Sequence, residues 1–146
     1  MRISTKGEYG IRAMMELACR YGDGYVRSAK IAGARAIPEN YLYQLLITLR
    51  KAGLIRSRRG PKGGHMLSRP PGRINLAEVV VALEGPLAPV TCADDGPYPE
   101  CRFFVGCPVR QVWERITVAT RDILEATSLE KLVAEEERGS PVEHSA

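Results

Sequence analysis

The chain of 146 residues predicts a mainly α fold: a winged helix-turn-helix with a two-stranded β wing, followed by a long C-terminal helix. Three observations predict it. A short helical segment, a tight turn and a longer amphipathic helix opening at Pro38 run straight into a basic, glycine-rich hairpin. Residues 40–77 carry eight Lys/Arg and no acid. Near the C-terminus, an apolar stripe at helical spacing continues after the small core has been used up.

The elements follow in order. Thr5 and Glu8 fit a capping box for a first helix over about 6–21, with Tyr9, Ala13, Met14, Leu17 and Ala18 at helical spacing and Gly22 and Gly24 ending it. Cys19 falls on the apolar side and reads as a small core residue. Ser28 caps a short helix over about 29–35. Pro38 opens a third helix that runs to about 51, where a missing N–H costs nothing, with Tyr41, Leu42, Leu45, Leu46 and Leu49 turned inward. Gly53 takes the left-handed position that closes it. A strand over 54–58, a turn over 60–64 and a return strand over 65–68 complete the wing. Asn75 and Glu78 form a second capping box for a helix over 76–84 that should pack under the wing.

A proline-rich stretch to about Val105 comes next and contains Cys92 and Cys101. A loop this long inside a small domain needs a reason to be ordered. The long helix spans about 106–126 with Val109, Val112, Trp113, Ile116, Ala119, Thr120, Ile123 and Leu124 in one stripe. That stripe implies a partner subunit, and two-fold symmetry suits a reader of palindromic DNA. Thr127 and Glu130 cap a last short helix over 128–137.

Charge divides the chain. Residues 1–77 carry 15 Lys/Arg against 4 acids, and residues 78–146 carry 6 against 13. The basic half attracts nucleic acid. Asn40, Tyr41, Tyr43 and Gln44 lie at the exposed start of the third helix, where they face base edges or phosphates, with Tyr41 equally suited to the core. Gln44 suits bidentate contact to adenine. Arg50, Arg56, Arg58, Arg59 and Lys62 neutralise phosphate or enter the minor groove. No signal-peptide core or membrane-length apolar run is present, so a cytoplasmic protein without membrane contact is expected. No nucleophile–base pair, phosphate-cradling motif or C-x-x-C motif points to an enzyme, which leaves a thiol redox enzyme remote, and no small-molecule substrate is expected.

Cys92, Cys101 and Cys107 have the spacing C-x8-C-x5-C in one segment. Three soft thiolates suit an iron–sulfur cluster, with zinc and redox-active thiols as competitors that spacing does not separate. A fourth ligand would come from a carboxylate, Glu8, Asp94, Asp95 or Glu100, because His65 in the wing is better placed for DNA or packing and His144 lies in the tail.

The stretches KGEYGIRAM, IPENYLYQLLITLRKAGLIRSRRGPKGGHML, INLAEVVVALEG and the segment ending CPVRQVW make the chain resemble the bacterial iron–sulfur regulators of the IscR and NsrR type over nearly its whole length. The resemblance implies a winged-helix homodimer with crossing C-terminal helices. It implies a transcriptional repressor in which a [2Fe-2S] or [4Fe-4S] cluster on Cys92, Cys101 and Cys107 tunes binding to double-stranded operator DNA in response to iron–sulfur status, redox state or nitric oxide. Where IscR-type proteins place a ligating histidine this chain has Arg110, and where NsrR-type proteins place an acidic ligand from the partner it has Glu8. Glu8 of the opposite subunit is therefore the implied fourth ligand. Tyr43 stands where IscR-type reading helices often carry glutamate. The implied division is a DNA-binding domain over 1–84, a cluster-binding loop over 85–105, a dimerisation helix and terminal short helix over 106–137, and a flexible tail over 138–146.

Overall fold

Short polar side chains set where several of the helices begin. The computed structural model describes residues 2–93 and 101–139. Among these the elements are α1 (Thr5–Cys19), α2 (Ser28–Arg35), α3 (Glu39–Lys51), β1 (Ile55–Arg58), β2 (Gly64–Leu67), α4 (Leu76–Glu84), α5 (Pro108–Glu125) and α6 (Leu129–Arg138). Single 3-10 turns lie at Pro71–Arg73 and Thr91–Ala93. The mainly α winged fold with an antiparallel two-stranded wing and a long helix near the C-terminus is as expected.

The caps differ from expectation by one residue at three helices. Ser4, not Thr5, caps α1: its hydroxyl accepts from the Gly7 amide at 3.3 Å. The shift lets the same hydroxyl donate to Glu84 Oε1 at 2.6 Å, while the Ser4 amide donates to that oxygen at 2.8 Å. These donors hold the Glu84 carboxyl below the usual carboxylate range. At α6 the cap is Ser128, which accepts from the Lys131 amide at 3.1 Å; Thr127 instead donates to the Ile123 carbonyl at 2.9 Å. Ser28 is the first residue of α2 rather than its cap. The Asn75–Glu78 capping box forms as expected, with both bonds at 3.0 Å.

Met14 and Leu17 of α1, Ile31 of α2, Leu42, Leu45 and Leu49 of α3, Leu67 of β2 and Leu129 of α6 meet in one core. Each such side chain contributes about 1.5–3 kcal/mol by leaving water. The helix α4 lies chiefly against α1, α3 and α5, not under the wing. Gly10 explains the placement, since a Cβ there would occupy the space of the Leu83 side chain. Support for the wing comes from α1 and α3. Cys19 is exposed at the last turn of α1, where Leu17 and Ala18 take the inward positions. Its Sγ accepts from Arg35 at 3.5 Å, and partial burial raises its thiol.

The turn between α2 and α3 needs a left-handed residue, and Ala36 supplies it at φ 51° and ψ 50°. The Ile37 amide then donates to the Ala32 carbonyl at 3.0 Å, and Pro38 precedes the first residue of α3.

The last helix returns to the head. Leu76 donates to the Thr127 carbonyl at 2.8 Å and Leu129 to the Ile74 carbonyl at 3.0 Å. Arg35 of α2 donates to buried Glu16 of α1 at 3.0 Å and grips Glu136 of α6 with both terminal nitrogens, at 2.7 and 2.9 Å. The hydrogen bonds to Glu136 raise the Arg35 guanidinium, and the same bonds lower the Glu136 carboxyl. Glu136 is 41% exposed, so solvent screens the pair and E136Q should cost about 0.5–1 kcal/mol at neutral pH. A carboxyl lowered by folding stabilises above its ordinary value of about 4.3, and that stability is lost as pH falls through the lower folded value. Urea unfolding of wild type and E136Q should therefore differ at pH 7 and converge in acid; parallel pH profiles would contradict the clamp.

Candidate nucleic-acid interface

Four leucines decide which face of α3 is free. Leu42, Leu45, Leu46 and Leu49 are buried, which turns Asn40, Tyr43, Gln44, Ile47 and Arg50 outward. Tyr43 is 52% exposed and Ile47 41%. The helix closes on Gly53 at φ 77°, with Leu54 donating to the Leu49 carbonyl at 3.1 Å, and the chain enters β1. Tyr41 stays exposed, but its ring meets Tyr9 edge-on at 5.5 Å, and Arg12 lies over Tyr9 at 5.4 Å. Of the two roles open to Tyr41, packing between α1 and α3 is the one with a contact.

The wing pairs Ile55 with Leu67, Arg56 with Met66, Ser57 with His65 and Arg58 with Gly64. A Cβ at Gly63 would strike the Arg58 carbonyl, so only glycine permits this turn. Backbone and side-chain hydrogen bonds fasten the wing to the head. Val26 and His65 exchange backbone hydrogen bonds, both at 2.8 Å. Arg27, just before α2, donates to the carbonyls of Gly60 (3.1 Å) and Pro61 at the wing tip. His65 Nδ1 pairs with Ser57 Oγ at 2.7 Å. Burial, and then the nearby Arg50 charge, push the His65 imidazole below its ordinary value.

Between α3 and the wing lies a cleft of about 600 Å³. Tyr43, Ile47 and the edge of Leu46 supply its apolar floor, and Arg27, Arg50, Arg58 and Arg59 stand around it. No acid lines it. Arg58 also lies 5.9 Å from the centre of the Tyr25 ring. A cleft with cations of one sign and low-dielectric walls concentrates a polyanion. Arg56 and Lys62 are exposed on the wing but do not line the cleft. Arg27 and Ile47 escaped the sequence reading. Ile47 follows Tyr43 by four positions and was legible as its neighbour on the helix. Arg27 is far from the wing tip in sequence, and nothing local announces the contact.

Cys92 sits half-buried in the Thr91–Ala93 turn, Cys101 is exposed, and Cys107 is half-buried at the residue preceding α5. None is in a disulfide. Asp94, Asp95, Glu100 and His144 lie outside the described residues. Among the described residues no three Cys, His, Asp or Glu side chains gather into a metal-holding group. Glu8 is exposed on α1. Arg110, at the first turn of α5, packs 4.0 Å from the centre of the Phe104 ring and pairs with Glu114 at 3.2 Å. Along α5 the expected stripe is uncovered, with Val109, Val112, Ile116 and Ile123 between 42% and 68% exposed. Among the described residues no helix is long and apolar enough to cross a membrane.

Comparison with known proteins adds a family. The profile of Rrf2, described as an iron-dependent transcriptional regulator, matches residues 3–135. The HTH-type transcriptional regulator CymR of Bacillus subtilis is 38% identical over 134 residues, covering 92% of this chain and 91% of CymR. The solved structure of that CymR, a global cysteine regulator, matches with a TM-score of 0.75 at 36% identity over 92% of this chain and 98% of its own. The structure of T. potens IscR matches with a TM-score of 0.75 at 31% identity over 97% of this chain and 92% of its own.

Each arginine or lysine that neutralises a phosphate releases counterions, which steepens the salt dependence of binding by about 0.9 in log–log slope per contact. R59A and K62A should each flatten that slope by about this amount on a duplex selected by the protein, measured by fluorescence anisotropy. Unchanged slopes in both would remove the wing from the interface.

Proposed function

The chain belongs to the Rrf2 family of DNA-binding transcriptional regulators, a non-enzymatic family, and we propose that it is a homodimeric repressor whose operator affinity is set by the state of Cys92, Cys101 and Cys107. The observation that carries the reading is the position of the three free thiols. They occupy the segment that joins the DNA-reading head to α5, and none is part of the core. A chemical change there acts on the connection between head and dimer helix, and so on the spacing of two reading helices across a palindrome. The uncovered stripe of α5 supplies the dimer contact.

In the first reading the thiols act directly. Two thiols lose two protons and two electrons to a peroxide or disulfide oxidant and form one S–S bond, or the thiolates are drawn together by zinc. The likeness to Staphylococcus aureus CymR, solved in an oxidized form and 37% identical over 91% of this chain with a TM-score of 0.70, favours this chemistry. The likeness to IscR and the iron-dependent description of the family favour a second reading. In it Cys92, Cys101 and Cys107 hold an iron–sulfur cluster with Glu8 of the opposite subunit as fourth ligand, and cluster state takes the place of thiol state as the signal. Glu8 is exposed on α1 and available to a neighbour.

Anaerobic purification followed by absorption spectroscopy, metal and sulfide counts, and operator titration tests both. A colourless protein whose affinity changes about tenfold on oxidation and recovers with dithiothreitol supports the thiol reading, provided at least two of C92A, C101A and C107A blunt the response. A brown protein with stoichiometric iron and sulfide, and a cluster lifetime shortened by E8A, selects the second. Operator affinity indifferent to replacement of all three cysteines contradicts both.

A further inference from the structure

The cationic frame of the α3–wing cleft has an apolar floor that phosphate recognition does not use. Tyr43 and Ile47 stand four residues apart on the free face of α3, 52% and 41% exposed, and both line the cleft. Such spacing places them side by side on one helix face. Exposed apolar side chains scattered singly need no explanation, but these two share one cleft with Arg50 of the helix and Arg58 and Arg59 of the wing. We propose that Tyr43 and Ile47 form an apolar reading pair that selects operator half-sites by contact with thymine methyl groups.

The occupant follows from the surroundings. Four arginines and, among the described residues, no acid around the cleft mark its ligand as a polyanion. In the major groove of DNA the thymine C5-methyl is the apolar feature that distinguishes one base pair from another. An isoleucine brought to a groove floor without such a methyl loses water and gains no matching contact. The leucine stripe on the opposite face fixes the rotation of α3, so the pair cannot turn away. Gln44, next to Tyr43 and also exposed, can bond the adenine N6 and N7 edge, which makes A·T pairs readable from both strands of one site.

The inference rests on the DNA-binding reading, and the experiment separates the two. Full-length protein selects a duplex of about 30 base pairs, long enough for two half-sites, from a random library. Thymines are then replaced one at a time by uracil, which removes the methyl and keeps the pairing. We expect one or two positions per half-site at which uracil weakens binding about fourfold, the worth of one buried methyl group. In I47A the penalty should vanish at one of these positions and in Y43A at another, with binding of the unsubstituted duplex still measurable and thermal unfolding unchanged. Uracil tolerated at every position, or penalties that persist in both variants, would overturn the reading pair while leaving DNA binding intact. Failure to select any duplex would remove DNA reading itself, and the pair with it.

Discussion

The burial of one side of α3 governs the rest of the molecule. Leu42, Leu45, Leu46 and Leu49 anchor that helix in a core shared with α1, α2, β2 and α6. A helix held by four such contacts has one rotation available, so the identity of its outward residues is decided by the same side chains that stabilise the fold. Tyr43, Gln44, Ile47 and Arg50 face out because the leucines face in. The wing is placed by a second constraint of the same kind. Val26 pairs with His65, and Arg27 reaches the wing tip, so the segment before α2 controls the distance between the reading helix and the hairpin. Function here is a consequence of packing geometry, with the charges of Arg50, Arg58 and Arg59 added to surfaces already fixed in place.

The C-terminal half returns to that head. The long helix α5 leaves its apolar stripe uncovered, yet α6 comes back to bury Leu129 and to meet Arg35 through Glu136. Arg35 belongs to α2, the helix that supports α3, and it also donates to buried Glu16 on α1. In the proposed dimer a displacement of α5 would be felt at the helix-turn-helix through the cysteine segment that precedes it, through α4, which packs on α1, α3 and α5, and through the ion-paired helix that follows. Regulation in such an arrangement needs no large motion, because operator recognition by two linked heads is sensitive to small changes in their spacing.

Much of this was legible from residue order. The leucine periodicity, Pro38, Gly53 and the Asn75–Glu78 box located α3, its end and α4 to within a residue. Where sequence reasoning slipped, a long-range contact decided. Ser4 displaces Thr5 as the cap because Glu84 waits eighty residues away, and local spacing cannot show that. Cys19 lies outside the core because the inward positions of that turn belong to Leu17 and Ala18. The helix α4 packs on α1 because Gly10 leaves room for Leu83, a fit visible only once both helices are placed. At the site, the basic wing was plain from composition, whereas Arg27 acts across 33 residues of chain. The cysteines are the part least determined by order alone. Their spacing names soft-ligand or redox chemistry, and the choice between them depends on how their sulfurs meet.

The most direct test of the central claim is a map of backbone amide shifts when a selected duplex is added to isotopically labelled protein. The account predicts that the largest changes fall on the outer face of α3 from Asn40 to Arg50 and on the wing from Arg58 to His65, with the core leucines and α6 little affected. Changes concentrated on α5 or α6, with α3 silent, would contradict it.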